Sequence, residues 1–192
     1  MKLLEDKIRM CGKVLPGGVL KVDSFLNHQI DVSLVDALGK EFYNRFSLYN
    51  INKILTIESS GIALACAAAR YFGVPVVFAK KGAHKNVGGN VYSCPCFSFT
   101  KGVTCDITVS KDYLCEGDKV LIIDDFLANG AAAECLMNIL RQAGAELAGI
   151  GIAIEKGFQP GGKKLRESGI NVQSLAIIES MTDSAVTFRN DD

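Results

Sequence analysis

The residues best suited to chemistry lie in one short stretch, VLIIDDFLANG at 120–130. An apolar strand ends there in two adjacent carboxylates, Asp124 and Asp125. The turn after them closes on Gly130, and the alanine-rich segment that follows predicts a helix to about residue 143. A helix start entered through such a turn presents free backbone N–H groups and the positive end of the helix dipole. The stretch therefore predicts an anion site, suited to phosphate, beside two acids.

The two acids should bind a different part of the same ligand, because carboxylates repel a phosphate. Carboxylates accept hydrogen bonds from sugar hydroxyls, or they partner a metal ion attached to the ligand. The small side chains of Ala128, Ala131 and Ala132 let a phosphate approach the backbone. Together these features predict a site for a ribose 5-phosphate group. The simpler alternative is a strand that ends in two acids and is followed by an ordinary turn.

The surrounding elements predict how these residues are positioned. Apolar strands and longer helical patterns alternate, which is typical of right-handed crossovers in a parallel sheet. The predicted strands are 53–58, 74–80, 119–125 and 148–156, and the predicted helices are a short N-terminal one and 31–46, 60–72, 130–143 and 163–168. The predicted fold class is α/β, with an open, mainly parallel, doubly wound sheet. Ligands bind such sheets outside the carboxyl ends of the strands, where the strand order reverses.

Two segments interrupt this alternation without forming a separate domain. Residues 1–30 predict a small N-terminal hood, which is irregular from residue 16 onwards. Residues 81–110 predict a flexible flap with a hairpin, because Gly88, Gly89 and Asn90 are turn formers between strand-like segments. We expect one domain over residues 1–192, with the flap closing over the bound ligand to exclude water.

The composition excludes several classes of protein. Lys and Arg number 21 and Asp and Glu number 21, so the formal net charge is zero, which argues against nucleic-acid binding through bulk charge. No apolar run approaches the roughly 20 residues that cross a bilayer. The N-terminal residues carry charges of both signs and predict no secretory signal. Seven cysteines, an odd number, favour reduced thiols in the cytoplasm over a disulfide framework.

Several motifs together resemble one family. Besides the acidic stretch, these are VLKVDSFLNHQID, TIESSGIA, GVPVVFAKK, SFTK and GIGIAIEKGFQPGG, in collinear order over almost the whole chain. The set resembles the bacterial xanthine phosphoribosyltransferases, of the type I phosphoribosyltransferase fold. The resemblance implies transfer of ribosyl 5-phosphate from phosphoribosyl pyrophosphate to xanthine, giving xanthosine 5′-monophosphate and pyrophosphate in purine salvage. It also implies a homodimer, and a donor that binds with Mg²⁺ rather than through a protein metal site.

The resemblance implies a role for individual residues. Asp124 and Asp125 would be the catalytic acids. The donor phosphate loop would be Ala128, Asn129, Gly130, Ala131 and Ala132, and the purine base would be bound by Leu20, Asn27 and Lys156. A lysine at the last position donates to an exocyclic purine oxygen and disfavours adenine. The pyrophosphate would bind Ser59, Ser60 and Gly61 at a second helix start, and Lys80 or Lys81, with Lys81 preferred.

Several alternatives stay open at this stage. Ser59 or Ser60 would also cap a helix with nothing bound. The enzyme could prefer hypoxanthine, guanine or adenine, or the chain could be a non-catalytic regulator that senses phosphoribosyl pyrophosphate and binds nucleic acid. The segment Gly157–Lys163 fits the core of a nucleotide P-loop but lacks its final hydroxyl residue. Cys94, Cys96 and Cys105 with His84 match no zinc spacing, so structural thiols are preferred to a metal site.

Overall fold

The computed structural model describes residues 1–82, 90–98, 103–182 and 185–189. The helices are α1 (Lys2–Cys11), α2 (Val32–Phe46), α3 (Gly61–Phe72), α4 (Ala131–Ala143) and α5 (Gly161–Glu167). The strands are β1 (Lys13–Leu15), β2 (Val19–Lys21), β3 (Lys53–Ile57), β4 (Val76–Lys81), β5 (Val91–Ser98), β6 (Val103–Ser110), β7 (Lys119–Leu127), β8 (Glu146–Lys156), β9 (Val172–Thr182) and β10 (Ala185–Phe188). Among the helices in this part of the chain, none is long and apolar enough to cross a membrane.

The central sheet confirms the predicted fold class. Its strand order is β10-β9-β8-β7-β3-β4-β6-β5. The inner strands β9, β8, β7, β3 and β4 are parallel, while β10, β6 and β5 pair antiparallel at the two sides. From β3 the chain builds first towards β4 and then, after β6, in the opposite direction through β7, β8 and β9. The strand order therefore reverses between β3 and β7.

Helices cover both faces of the sheet, which explains why the inner strands are almost continuously apolar. One core cluster joins β3 and β7 residues such as Ile54 and Ile123 to α1, α2 and α3. The other joins residues such as Ile122 and Ile152 to α4 and α5. Apolar burial on this scale is the main stabilising contribution to the fold. A strand buried on both faces cannot alternate polar and apolar residues, so it reads as one apolar run.

Some predicted elements were misplaced or overlooked. Strand β7 continues two residues beyond Asp125 to Leu127, so the acids lie inside the strand rather than at its end. Helix α5 begins at Gly161, two residues before its predicted start. Strands β9 and β10 were not predicted from the sequence. Polar residues at 173–174 and 179–180 confine the apolar run of β9 to the four residues 175–178.

The two predicted appendages are partly described. The hood contains α1, the small antiparallel β1–β2 pair and a π-helical turn at Asp23–Asn27. In the predicted flap, β5 and β6 form an antiparallel pair, but they are joined through residues 99–102 and not through Gly88 and Gly89 as predicted. Residues 83–89 and 99–102 lie outside the described residues, as does His84. The flexibility and closure of the flap, and the division into hood and flap, stay predictions.

Candidate active site

The candidate site lies where the strand order reverses. The carboxyl ends of β3 and β7 are neighbours there, and this is the position at which open α/β sheets bind ligands. Strand β3 leads into the turn 58–60 and helix α3, and β7 leads into the turn 128–130 and helix α4. Each side of the reversal point therefore supplies a helix start, with free N–H groups, to the same crevice.

A cavity of about 430 Å³ opens at this point. The whole predicted phosphate loop, 128–132, lines it, together with Asp124, Phe126 and Lys81. Its lining also includes Cys96 and Cys105 from the β5–β6 pair. The structure thus brings one acid, one lysine and the start of a helix together around one cavity.

The backbone geometry of the loop depends on two glycines. Gly130 precedes α4 with φ of 89°, a left-handed backbone conformation that residues other than glycine rarely adopt. Gly161, at the start of α5, donates its N–H to the Ala128 carbonyl oxygen at 3.0 Å. A Cβ atom on Gly161 would meet the Gly130 nitrogen at 2.6 Å, so the loop rests directly on this residue. The segment Gly157–Lys163 therefore supports the phosphate loop from behind.

The two acids have different surroundings. Asp124 is buried, with 7% of its surface exposed, and lines the cavity, whereas Asp125 is half-buried and does not. The Oδ1 atom of Asp124 accepts a hydrogen bond from the Asp125 backbone nitrogen at 3.0 Å. Burial, followed by the neighbouring charge of Asp125, raises the pKa of Asp124 well above the usual range of an aspartate. A carboxyl group in such surroundings is a strong candidate for function.

Helix α3 begins against Asp124. A Cβ atom on Gly61 would meet the Asp124 Oδ1 atom at 3.1 Å and would overlap the Thr56 hydroxyl oxygen. Only glycine therefore lets the helix start approach the acid this closely. Ser60 occupies the N-cap position without a side-chain capping hydrogen bond, so the predicted cap is wrong for this residue. Ser59 is exposed, and its peptide bond to Glu58 is cis.

The structure distinguishes the two lysines at the end of β4. Lys81 lines the cavity, and its positive charge lowers the pKa of Asp124 against the larger effect of burial. Lys80 instead lines a separate depression with Phe78 and Tyr113. The Glu58 carboxylate accepts a hydrogen bond from the Lys81 backbone nitrogen at 2.7 Å, which ties the turn before α3 to the end of β4. Of the two lysines, Lys81 is the one at the site.

The predicted base-binding residues lie in or against the hood and do not line the cavity. Leu20, on β2, is buried in the core cluster with Phe25. Asn27 ends the π-helical turn, and its buried Oδ1 atom has no hydrogen-bond partner among the described residues. Phe126 packs against the same cluster while also lining the cavity. Phe126 therefore belongs both to the cavity wall and to the packing of the core.

Lys156 ends β8 beneath the hood. Its Nζ atom donates to the Gly18 carbonyl oxygen at 3.0 Å, and burial lowers its pKa. The adjacent Glu155 is 2% exposed and turned away, because Arg166 donates to both its oxygens at 2.8 and 2.7 Å. Burial alone would raise the pKa of Glu155, but hydrogen bonds from Arg166 and Ser174 lower it overall. The Lys156 Nζ atom thus points towards the hood, while Glu155 is paired with Arg166.

Sequence reasoning overlooked three contributors to this site. Phe126 lies within the acidic motif, but the sequence predicts a turn there rather than a strand residue that lines a cavity. Gly161 could have been found only from its close approach to the loop, which no local pattern records. Thr56 is fully buried, and its hydroxyl has no partner among the described residues. A threonine on a continuous apolar strand was the one available indication.

The described residues of this site do not include a cluster of metal-ligating side chains. Within residues 1–82, 90–98, 103–182 and 185–189, no group of three or more His, Cys, Asp or Glu side chains is placed to hold a metal ion. Asp124 does offer carboxylate oxygens to the cavity, the ligand type that Mg²⁺ prefers.

Comparison with solved structures identifies the class of protein. The chain matches adenine phosphoribosyltransferase from Giardia lamblia in complex with 9-deazaadenine, with a TM-score of 0.77, 24% identity, and coverage of 93% of this chain and 98% of that chain. It also matches the enzyme from Trypanosoma brucei in complex with AMP, pyrophosphate and ribose-5-phosphate, with a TM-score of 0.74, 19% identity, and coverage of 91% and 78%. The fold is therefore that of the phosphoribosyltransferases.

Sequence comparison then narrows the class. Residues 21–180 match the phosphoribosyl transferase domain model. The chain is 57% identical over 188 residues to xanthine phosphoribosyltransferase from Ruminiclostridium cellulolyticum, covering 98% of this chain and 99% of the relative. It is 56% identical over 190 residues to the corresponding protein from Clostridium novyi, covering 99% and 100%. The chain belongs to the xanthine phosphoribosyltransferase family.

Proposed function

We propose that this protein transfers ribosyl 5-phosphate from phosphoribosyl pyrophosphate to xanthine, releasing pyrophosphate and forming xanthosine 5′-monophosphate in purine salvage. The observation that carries the proposal is the buried Asp124 facing a helix-start loop at the reversal point of the sheet. Near full-length relatives bearing the name of this activity, at 56–58% identity, support the choice of substrate.

On the donor side, the N–H groups of residues 128–132 bind the 5-phosphate, and the two acids accept the ribose hydroxyls. Free amides at the start of α4 stabilise the phosphate charge. Lys81 and the residues Ser59, Ser60 and Gly61 bind the pyrophosphate from the opposite side of the crevice. The tie between Glu58 and the Lys81 backbone supports this arrangement, because it holds the two pyrophosphate-binding segments side by side.

The reaction needs no covalent nucleophile. Departure of pyrophosphate leaves positive charge on the anomeric carbon, as in glycoside chemistry. Carboxylates near the ribose stabilise that charge, and Lys81 together with the α3 amides stabilises the charge on the leaving group. Holding the base nitrogen in line with the anomeric carbon supplies a positioning effect worth up to about 7–11 kcal/mol.

On the base side, Lys156 donates to an exocyclic oxygen of xanthine, and Asn27 offers both a donor and an acceptor to the edge of the base. The buried, unpartnered Oδ1 atom of Asn27 supports this role, since such an oxygen is costly unless a ligand donates to it. Leu20 contributes an apolar contact from the hood. In adenine, an amino group would face the Lys156 ammonium group. Both groups donate hydrogen bonds and neither accepts one, which disfavours adenine.

The cofactor, the assembly and the location are part of the same proposal. Mg²⁺ binds with the donor, where it would neutralise the leaving pyrophosphate, and Asp124 and Asp125 carry the oxygen ligands that suit it. The protein works as a homodimer in the cytoplasm, without nucleic-acid or membrane partners. All seven cysteines are free, which supports the cytoplasmic location. The zero net charge supports the absence of nucleic-acid partners.

The decisive experiment offers the protein the donor and Mg²⁺ with xanthine, hypoxanthine, guanine or adenine in separate reactions, and identifies the nucleotide by mass. We expect xanthosine 5′-monophosphate to form fastest. Lys156→Met should raise the KM for xanthine more than it lowers kcat, whereas Lys163→Met, on the exposed face of α5, serves as the control. Preference for adenine, or no nucleotide from any base, would overturn the proposal.

A further inference from the structure

Four of the seven cysteines lie together beside the donor cavity. Cys94 and Cys96 are on β5, Cys105 is on β6, and Cys135 is on α4, which packs against these strands. Cys96 and Cys105 line the cavity itself, and the Cys135 thiol donates to the Cys94 carbonyl oxygen at 3.3 Å. We call these four residues the cysteine cluster. The proposed transfer reaction uses none of them.

Two members of the cysteine cluster face each other directly. Cys96 and Cys105 are register partners in the antiparallel β5–β6 pair. In the strand pairs that the structure describes, no other two cysteines are opposite each other. Opposed residues in antiparallel strands have Cα atoms about 4.5 or 5.5 Å apart. Both spacings fall inside the range of about 4.4–6.8 Å that a disulfide spans, so a bond requires little backbone movement.

We propose that Cys96 and Cys105 form a reversible thiol–disulfide site in the wall of the donor cavity, with a low-molecular-weight disulfide as its oxidant. One cysteine thiolate attacks the small disulfide, forms a mixed disulfide and releases one small thiol. The second cysteine attacks the mixed disulfide, forms the Cys96–Cys105 bond and releases the second small thiol. The cysteine pair loses two electrons and two protons, and the oxidant gains them.

The surroundings of Cys96 determine how this site reacts. Burial first, and then the neighbouring thiols of Cys105 and Cys94, raise the pKa of Cys96. Its thiolate fraction at neutral pH is therefore below that of an ordinary cysteine, and bond formation should accelerate as the pH rises. Both cysteines line the cavity, so a bound donor should shield their thiols. This last expectation rests on the proposed function.

The test exposes the reduced protein to oxidised glutathione, blocks the remaining thiols, and maps the cross-link by digestion and mass spectrometry. Lys101 lies between the two cysteines in the sequence, so trypsin separates them into different peptides. We expect the two peptides to be joined by a bond that dithiothreitol reverses. Cys105→Ser should abolish the bond, while Cys115→Ser, which changes an exposed thiol outside the cluster, should preserve it.

Activity provides the second measurement, with each protein compared to its own reduced form. Oxidation should raise the KM for the donor in the unsubstituted protein and leave that of Cys105→Ser unchanged, because the bond fixes two strands of the cavity wall. A bond joining Cys135 to Cys94, or mixed disulfides alone, would overturn the inference even where the transfer reaction is confirmed. If the Cys96–Cys105 bond forms as fast with the donor and Mg²⁺ as without them, the result would support the disulfide site and count against the proposed donor position.

Discussion

At the residue scale, the two adjacent acids Asp124 and Asp125 differ in burial. Asp124 and Asp125 follow each other on β7, yet only the first is buried against the start of α3. Packing explains the difference, because the start of α3 at Gly61 lies directly against the Asp124 carboxylate. The acid on the crevice face loses water, and its pKa rises, while its neighbour keeps contact with solvent.

The first prediction concerns catalysis. Asp124→Asn and Asp125→Asn should each lower kcat more than they change the KM for xanthine, since both acids act on the ribose rather than on the base. The loss of one charged hydrogen bond, about 1.5–3 kcal/mol, corresponds to a fall in kcat of about 10- to 150-fold. Steady-state kinetics measure both constants, with Asp6→Asn on the exposed face of α1 as the control. Equal losses in kcat and in xanthine binding, or no loss, would show that the acids lie elsewhere.

A second prediction concerns pH and stability. The folded-state pKa of Asp124 is raised, so the folded state holds a proton that the unfolded state has released between the ordinary aspartate pKa and the raised one. The free energy of unfolding contributed by this group therefore falls as the pH rises through that window. In Asp124→Asn, the free energy of unfolding should decrease less across this pH window. Above the window, the variant should be more stable than the unsubstituted protein. Urea unfolding at a series of pH values would measure this, and an unchanged pH profile would contradict it.

At the element scale, the site depends on how helix starts are brought up to the sheet. Helix α4 has a left-handed glycine at each end, Gly130 before it and Gly144 after it, with φ of 89° and 68°. The first is packed against the backbone of Gly161, and the second against the flexible side chain of Glu116. One helix thus offers the same backbone conformation twice, once at the phosphate loop and once away from it.

This pair gives a matched test of the loop. Gly130→Ala and Gly144→Ala should each reduce the free energy of unfolding by about 1–2 kcal/mol, the cost of placing a side chain in the left-handed region. Only Gly130→Ala should also weaken donor binding, because its Cβ atom would lie 3.3 Å from the Gly161 Cα atom and move the loop. Chemical unfolding and isothermal titration with the donor and Mg²⁺ separate the two effects. Similar donor affinity in both variants would contradict the role of the loop.

At the scale of the whole molecule, one crevice gathers residues from distant parts of the chain. Lys81 on β4 and Asp124 on β7 line one cavity at the reversal point of the sheet, although they are far apart in sequence. A ligand that contacts several of these elements stabilises the folded state through mass action. The donor should therefore stabilise the entire domain rather than one loop.

Thermal unfolding tests this last expectation. Phosphoribosyl pyrophosphate with Mg²⁺, at about 100 times its Kd, should add about 2.7 kcal/mol and raise Tm by about 5–10 °C for a domain of this size. The same donor with the metal chelated by EDTA should raise Tm less, because its phosphate charges are then unneutralised. An equal increase with and without Mg²⁺ would argue that the donor binds without the metal.

Much of the fold was predictable because the inner strands are buried on both faces and read as apolar runs. The motif 120–130 likewise predicted a strand, a turn and a helix in order, and the structure has them. Strands β9 and β10 and the position of the hairpin were not predictable in this way. Polar residues interrupt the apolar pattern of β9, and β10 is short and partly exposed, so pairing with neighbouring strands rather than local pattern defines them.

By itself, the sequence determined the fold class through its alternating apolar runs and helical patterns, and it determined the family and the set of candidate residues through the resemblance of its motifs. The tertiary structure alone decided which of Asp124 and Asp125 is buried, which of Lys80 and Lys81 lies at the cavity, and that Cys96 lies opposite Cys105. The reason is physical: burial, strand register and close backbone approach depend on elements that are remote in sequence. Gly161 is the clearest example, because it packs against the backbone of a loop some thirty residues before it in the sequence.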